Sequence, residues 1–264
     1  MLKKGKFSSG KMGKKIIVGN WKMNPSDIGK AKEIFVAVKK FAVKLNKIEI
    51  TVCPPFTFIN SLKKMDLAGN VRLGGQNVFS EKYGAYTGEV SILELQSVGA
   101  DTVIVGHSER RAMGETEEQI SKKVFVGREE GFRVILCVGE KTRDDEGSHF
   151  GFLEEQIKNS LAKVPKRFLK DVIVAYEPIW AIGKSSKFAI DKSGLEETVL
   201  FIRKVINGIY DSESAHGIKV LYGGSVSDKN AAELMSSGIA GFLVGHESLM
   251  PSHFKEIAKI META

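Results

Sequence analysis

The stretch Val172-Ile173-Val174-Ala175-Tyr176-Glu177-Pro178 runs apolar for five residues and then stops on a carboxylate and a proline. A short run with no polar alternation and several β-branched members fits a strand buried on both faces. Runs of the same kind recur at Lys15–Val18, Ile48–Cys53, Val71–Gln76, Thr102–Val105, Arg133–Cys137, Lys219–Tyr222 and Gly241–Val244. Longer amphipathic stretches lie between them. Asp27–Leu45 places Ile28, Ala31, Ile34, Phe35, Val38 and Phe41 at helical spacing. Thr116–Glu130 opens with Thr116 followed three residues later by Gln119, the pattern of a capping box. Asp191–Ile206 and Ser227–Ser237 read the same way, and Pro251 suits the first turn of a last helix. The connections after the third and fourth strands are less regular.

Eight strands alternating with helices form either a doubly wound sheet or a closed barrel. Eight repeats in 264 residues favour the barrel, whose usual length is about 250 residues. No Gly-x-Gly-x-x-Gly follows the first strand, which weighs against a dinucleotide-binding sheet. The expected architecture is therefore α/β, a single-domain (β/α)8 barrel over residues 14–264. Residues 1–13 read as a basic, disordered extension with no periodic apolar pattern.

Composition excludes several classes. Hydrophobic residues make up 42% and charged residues 27%, too apolar for a disordered chain. No apolar run reaches the roughly 18 residues of a membrane helix, and no secretory signal is visible. The net charge is +7, but Lys3, Lys4, Lys6 and Lys11 supply four of those charges and leave +3 for the rest. That balance argues against a nucleic-acid binder and suits an anionic small-molecule substrate. Cys53 and Cys137 stand alone, the five histidines show no metal-ligand spacing, and a reducing, cytoplasmic setting is expected.

In such a barrel the chemistry sits at the C-terminal ends of the strands. Strand one ends in Gly19-Asn20-Trp21-Lys22-Met23-Asn24 and strand four in Gly106-His107-Ser108-Glu109-Arg110-Arg111. Strand six ends at Glu177, strand seven in Gly223-Gly224-Ser225, and strand eight in Gly245-His246. A carboxylate, an imidazole, an ammonium and two glycine loops thus converge on one face.

These segments resemble triosephosphate isomerases. The resemblance is carried by Gly-Asn-Trp-Lys-Met-Asn at 19–24, Gly-Ala-Tyr-Thr-Gly-Glu at 84–89 and Val-Gly-His-Ser-Glu-Arg-Arg at 105–111. Cys-Val-Gly-Glu at 137–140, Ala-Tyr-Glu-Pro-Ile-Trp-Ala-Ile-Gly at 175–183, Tyr-Gly-Gly-Ser-Val at 222–226 and Gly-Phe-Leu-Val-Gly at 241–245 complete it. It implies an aldose–ketose isomerase of glycolysis and gluconeogenesis acting on a small phosphorylated triose, with no cofactor and no metal. The glutamate-base and neutral-histidine scheme is the one worked out for that enzyme itself, and is carried over rather than deduced. Glu177 becomes the base, His107 the electrophile, Lys22 the stabiliser of negative charge and Asn20 the orienting group. Glu109 either transfers protons or orders Lys22. The phosphate would rest on Gly183, Ser225, Gly245 and His246, whose neighbouring glycines allow close approach, and a lid over Pro178–Lys187 would exclude water.

The chain departs from the family at three places. Lys184-Ser185-Ser186-Lys187 replaces a Thr-Gly-Lys stretch, so the open lid is expected to be less disordered. His246 stands where a second glycine is common, and Ala240 where aspartate is frequent. The resemblance also implies a homodimer in which the loop around Gln76–Glu89 crosses the interface and supports Asn20 and Lys22. Two alternatives compete. A Schiff-base aldolase needs a lysine at the end of a central strand, and strands five and six have none. A silent phosphate-binding barrel would lack Glu177, His107 or Lys22, and all three are present.

Overall fold

The apolar runs pair side by side in sequence order. In the computed structural model, which describes residues 13–66, 69–144, 146–182 and 189–264, they form eight parallel strands: β1 (Lys15–Asn20), β2 (Ile48–Cys53), β3 (Arg72–Gly75), β4 (Thr102–Val105), β5 (Arg133–Val138), β6 (Val172–Tyr176), β7 (Lys219–Tyr222) and β8 (Gly241–Val244). Each strand pairs with the next, and β8 returns to β1 with Ile16 opposite Gly241 and Ile17 opposite Phe242, so the barrel is closed. Gly241 sits at φ 149°, and a Cβ there would lie 1.8 Å from the Ile16 carbonyl oxygen. Only glycine allows the seam to close this tightly.

Strand side chains alternate between the two faces, and here both faces are dry. Ile16, Val18, Ile104, Ile135, Ile173 and Leu221 fill the barrel interior. Ile17, Val52, Val103, Leu136, Val174 and Phe242 point outward into the layer beneath the helices. That is why the runs show no polar alternation.

The helices are α1 (Ile28–Ala42), α2 (Phe56–Lys63), α3 (Ile92–Ser97), α4 (Ser108–Ala112), α5 (Glu117–Glu129), α6 (Ser148–Leu161), α7 (Lys192–Ile209), α8 (Ser212–Gly217), α9 (Ala231–Met235) and α10 (Pro251–Thr263). Asp27 caps α1 by accepting from the Lys30 N–H. Thr116 and Gln119 make both bonds of the capping box that starts α5, and Pro251 is the first residue of α10.

Several boundaries differ from the sequence reading; among them, α1 stops at Ala42, short of Leu45, and β5 runs on to Val138. β1 runs on to Asn20, which makes Asn20 a strand residue. β3 is Arg72–Gly75 only. α7 extends to Ile209. The helix expected over Ser227–Ser237 shrinks to α9, because the Asn230 side chain turns back and accepts from the Ser227 N–H at 2.8 Å. This is the usual competition between a short amide side chain and the helix. Among the described residues no helix is long and apolar enough to cross a membrane. The basic extension, apart from Gly13, lies outside the described residues, as do Gly183 and the Lys184–Lys187 departure in the lid.

Candidate active site

A cavity of about 660 Å3 opens at the C-terminal ends of the strands. Asn20, Lys22, His107, Glu177, Ser225, Gly245 and His246 all line it. Glu109 is not in the lining; its carboxylate lies behind Lys22.

The ammonium is placed by its backbone. Lys22 has φ 53°, the left-handed region that a residue with a Cβ seldom enters. Such a residue costs roughly 1–3 kcal/mol and persists only where its surroundings over-determine it. Here Asn20 Oδ1 accepts from the Lys22 N–H at 3.0 Å, and Gln76 Nε2 donates to the Lys22 carbonyl at 2.8 Å. The same Gln76 amide donates to the Cys53 carbonyl at 2.8 Å, anchoring the turn to β2. Lys22 Nζ then ends on Glu109 Oε1 at 2.7 Å. Gln76 thus supports Lys22 from within the same chain.

The imidazole is placed by the start of α4. His107 precedes that helix, is 7% exposed, and accepts the Glu109 N–H on Nδ1 at 3.2 Å. A ring nitrogen that accepts an amide proton carries none itself, so the neutral ring bears its proton on Nε2. Nε2 lies 3.3 Å from Glu177 Oε1. Arg111 ties the surroundings together by donating to the Gly106 carbonyl at 2.7 Å and the Cys137 carbonyl at 3.1 Å.

The carboxylate is placed from three sides. Glu177 is 3% exposed, and its N–H donates to the Val138 carbonyl at 2.7 Å. Its Oε2 accepts the Ser108 N–H at 3.1 Å while Oε1 faces His107. Oε2 is therefore held on the α4 side and Oε1 beside His107, with the side chain at the wall of the cavity it lines. Cys137 lies beneath it. Burial first, and the Glu177 charge second, hold that thiol well above its ordinary range, so it stays protonated.

Several positioning residues escaped the sequence reading. Glu140 is 1% exposed and accepts from the Tyr176 hydroxyl at 2.7 Å and from Trp180 Nε1 at 2.8 Å. Its carbonyl accepts the Ile179 N–H at 2.9 Å, so it fixes the stem of the segment that follows Glu177. Burial, and then Glu140, push the Tyr176 phenol well above its usual value. Asn230 donates to the Ser225 carbonyl at 2.9 Å and shapes the loop after β7. Ser225 Oγ donates to the Ala181 carbonyl at 2.8 Å and joins that loop to the same stem. The motif Cys137-Val138-Gly139-Glu140 was the available signal for Glu140, the support of Lys22 by the loop that begins at Gln76 came only through the family resemblance, and nothing local marks Asn230.

A carboxylate facing an imidazole N–H, with an ammonium beside them and backbone loops opposite, defines a barrel enzyme that moves protons on a small anion. Comparison with known proteins narrows the class. The family profile described as Triosephosphate isomerase matches residues 15–261. A triosephosphate isomerase of Aquifex aeolicus is 42% identical over 247 residues, covering 92% of this chain and 98% of the relative. One from Thermoanaerobacter pseudethanolicus is 41% identical, covering 93% and 99% respectively, and one from Endomicrobium trichonymphae is 38% identical, covering 94% and 99%. The chain belongs to the triosephosphate isomerase family.

Proposed function

We propose that the protein interconverts dihydroxyacetone phosphate and D-glyceraldehyde 3-phosphate, a step of glycolysis and gluconeogenesis, through an enediolate. The observation that carries this reading is the 3.3 Å approach of Glu177 Oε1 to His107 Nε2 at one end of a cavity whose other end is backbone loop. Glu177 takes a proton from the carbon beside the carbonyl. His107 hydrogen-bonds through its Nε2–H to the oxygen on which charge develops, gives that proton to it and regains one from the neighbouring hydroxyl, so that one proton passes between the oxygens as one passes between the carbons, and Lys22 supplies a positive charge held in place before the substrate arrives. Asn20 orients the substrate and the Lys22 backbone together. Protonated Glu177 then returns the proton to the neighbouring carbon. Glu109 acts through Lys22, since its carboxylate is bonded to the ammonium. The phosphate rests against Gly183, Ser225, Gly245 and His246, and the lid keeps water from the enediolate.

Incubation of the pure protein with dihydroxyacetone phosphate, coupled to an enzyme that consumes glyceraldehyde 3-phosphate, gives steady turnover. Absence of turnover overturns the reading. The catalytic domain is residues 14–264.

The protein acts in the cytoplasm as a homodimer. Both cysteines are free and buried, which suits a reducing compartment. Met23, Tyr83, Tyr86 and Met113 are large exposed apolar side chains on segments that follow β1, β3 and β4. The loop through residues 76–89 carries two of them and is the part offered to the second subunit. Sedimentation at micromolar concentration shows a species near twice 29.0 kDa. A single species at the chain mass rules the dimer out.

A further inference from the structure

Two of the strand ends that carry the chemistry are joined by one side chain. β4 and β5 pair as far as Val105 opposite Leu136. One residue further along each strand, the guanidinium of Arg111 spans the two backbones. Its Nε donates to the Gly106 carbonyl and its Nη2 to the Cys137 carbonyl. The first carbonyl belongs to the peptide that leads into His107. The second belongs to the peptide that leads into Val138, whose own carbonyl accepts the Glu177 N–H at 2.7 Å. The guanidinium is itself held. Nη1 donates to Glu117 Oε1, Nη2 also donates to Ser160 Oγ at 3.3 Å, and that hydroxyl donates to Glu117 Oε2 at 2.6 Å. The Arg111 side chain is only 14% exposed. With Ser108, Cys137 and Glu177 it borders a narrow crevice. The packing there is tight, since a Cβ on Gly106 would lie 3.0 Å from Nη2 and 3.3 Å from the Cys137 carbonyl oxygen.

We propose that Arg111 is a positioning residue for the isomerisation: by bridging the Gly106 and Cys137 carbonyls it fixes the separation of His107 from Glu177. The inference rests on the reading of Glu177 as the base and His107 as the group that serves the oxygens. Arg111 lies outside the lining of the main cavity, so it acts through the two backbones, one leading into the imidazole and the other holding the base. Its planar fork lets one side chain bond two carbonyls and a carboxylate at once. A lysine in its place brings a single nitrogen, which cannot lie along all of those directions, and a carbonyl loses its donor. The ends of β4 and β5 are then free to shift against each other. A displacement of about 1 Å at a reacting group costs on the order of 10²-fold in rate. Substrate affinity depends on Lys22 and the loops after β7 and β8, which Arg111 does not touch.

Arg111→Lys should lower kcat about ten- to a hundred-fold and leave KM within about threefold of wild type, the pattern of an interaction that matters only in the transition state. Arg128→Lys is the matched control. Arg128 also bonds two carbonyls, those of Phe132 and Phe168, and a carboxylate, Asp171 at 2.9 Å, but at the opposite end of β5. Both variants should lose thermal stability, and only Arg111→Lys should lose turnover when each is assayed well below its own Tm. Nitrogen NMR of histidine-labelled protein should show the His107 ring resonances shifted in Arg111→Lys and unmoved in Arg128→Lys. Gly106→Ala presses on the same bridge from the carbonyl side and should lower kcat in the same way, so it carries the test if Arg111→Lys does not fold. A folded Arg111→Lys or Gly106→Ala enzyme with wild-type kcat overturns the proposal, as does an equal loss of kcat in Arg128→Lys. Wild-type protein without turnover overturns instead the reading on which the proposal rests.

Discussion

Glu177→Gln lowers kcat by at least ~10²–10⁴, the contribution of a positioned general base, while KM changes far less. The variant isolates chemistry from structure. Glutamine has the same shape, and its amide oxygen can still accept the Ser108 N–H that Glu177 accepts at 3.1 Å. The backbone bond from residue 177 to the Val138 carbonyl is untouched. What disappears is the ability to take a proton from carbon. Coupled turnover in both directions gives kcat, and exchange of the substrate's carbon-bound hydrogen with solvent reports proton abstraction independently. A fall in kcat of less than tenfold, with exchange retained, would place the base elsewhere.

Gly139→Ala should damage catalysis nearly as much, although residue 139 is not part of the cavity lining. A Cβ built at Gly139 lies 1.8 Å from the Glu177 carbonyl oxygen and 2.5 Å from its carbon. No side-chain rotation relieves this, because the obstructing atoms are backbone. Neither strand end can retreat easily. Gly139 N–H donates to the buried Gln156 Oε1 at 2.7 Å, and the Glu177 N–H is committed to Val138. The base must shift, and a displacement of about 1 Å at a reacting group costs on the order of 10²-fold in rate. Overpacking adds a destabilisation of about 1–3 kcal/mol, read as a lower Tm. Gly151→Ala on α6 is the matched control: its Cβ meets nothing within 4 Å, so stability holds or rises, as for glycine to alanine within a helix. A Gly139→Ala enzyme within threefold of wild-type kcat would show that the contact relaxes at no cost to the base.

The barrel was legible because burial on both faces leaves a local mark. Val172–Tyr176 and Thr102–Val105 are continuous apolar runs, and their observed limits coincide with those runs. The capping signals at Thr116 and Pro251 act over three residues or fewer, so they too were readable. β1 was read short because Gly19 and Asn20 look like loop residues, yet they pair with Val52 and Cys53. The helix after β7 was read long because its apolar spacing continues back through the segment that Asn230 folds into a turn.

For the site, the strand-end rule picked out Glu177 and His107 from the residues alone. The parts taken by Lys22, Asn20 and Glu109 came through the family resemblance. The supporting residues were harder. Gln76 reaches Lys22 across 54 positions, and Trp180 reaches Glu140 across 40. Such bonds follow from which strand ends become neighbours, and no local pattern encodes them. The tautomer of His107 likewise depends on where the Glu109 amide points, which only the turn into α4 determines.

The seam between β8 and β1 bears on how the enzyme comes into being. Asn20, Lys22 and His107, the groups proposed to handle charge on oxygen, lie in the first half of the chain, and Glu177 and the loops after β7 and β8 lie in the second. His107 and Glu177 meet through β5, but Asn20 and Lys22 join the loops after β7 and β8 only when Gly241 lies against Ile16. The final strand to leave the ribosome is therefore the one that completes the catalyst. A chain still being synthesised carries Asn20, Lys22 and His107 before it carries Glu177, and one opened at this seam parts Asn20 and Lys22 from the loops after β7 and β8. Glycine at 241 thus times the onset of chemistry as well as closing the wall.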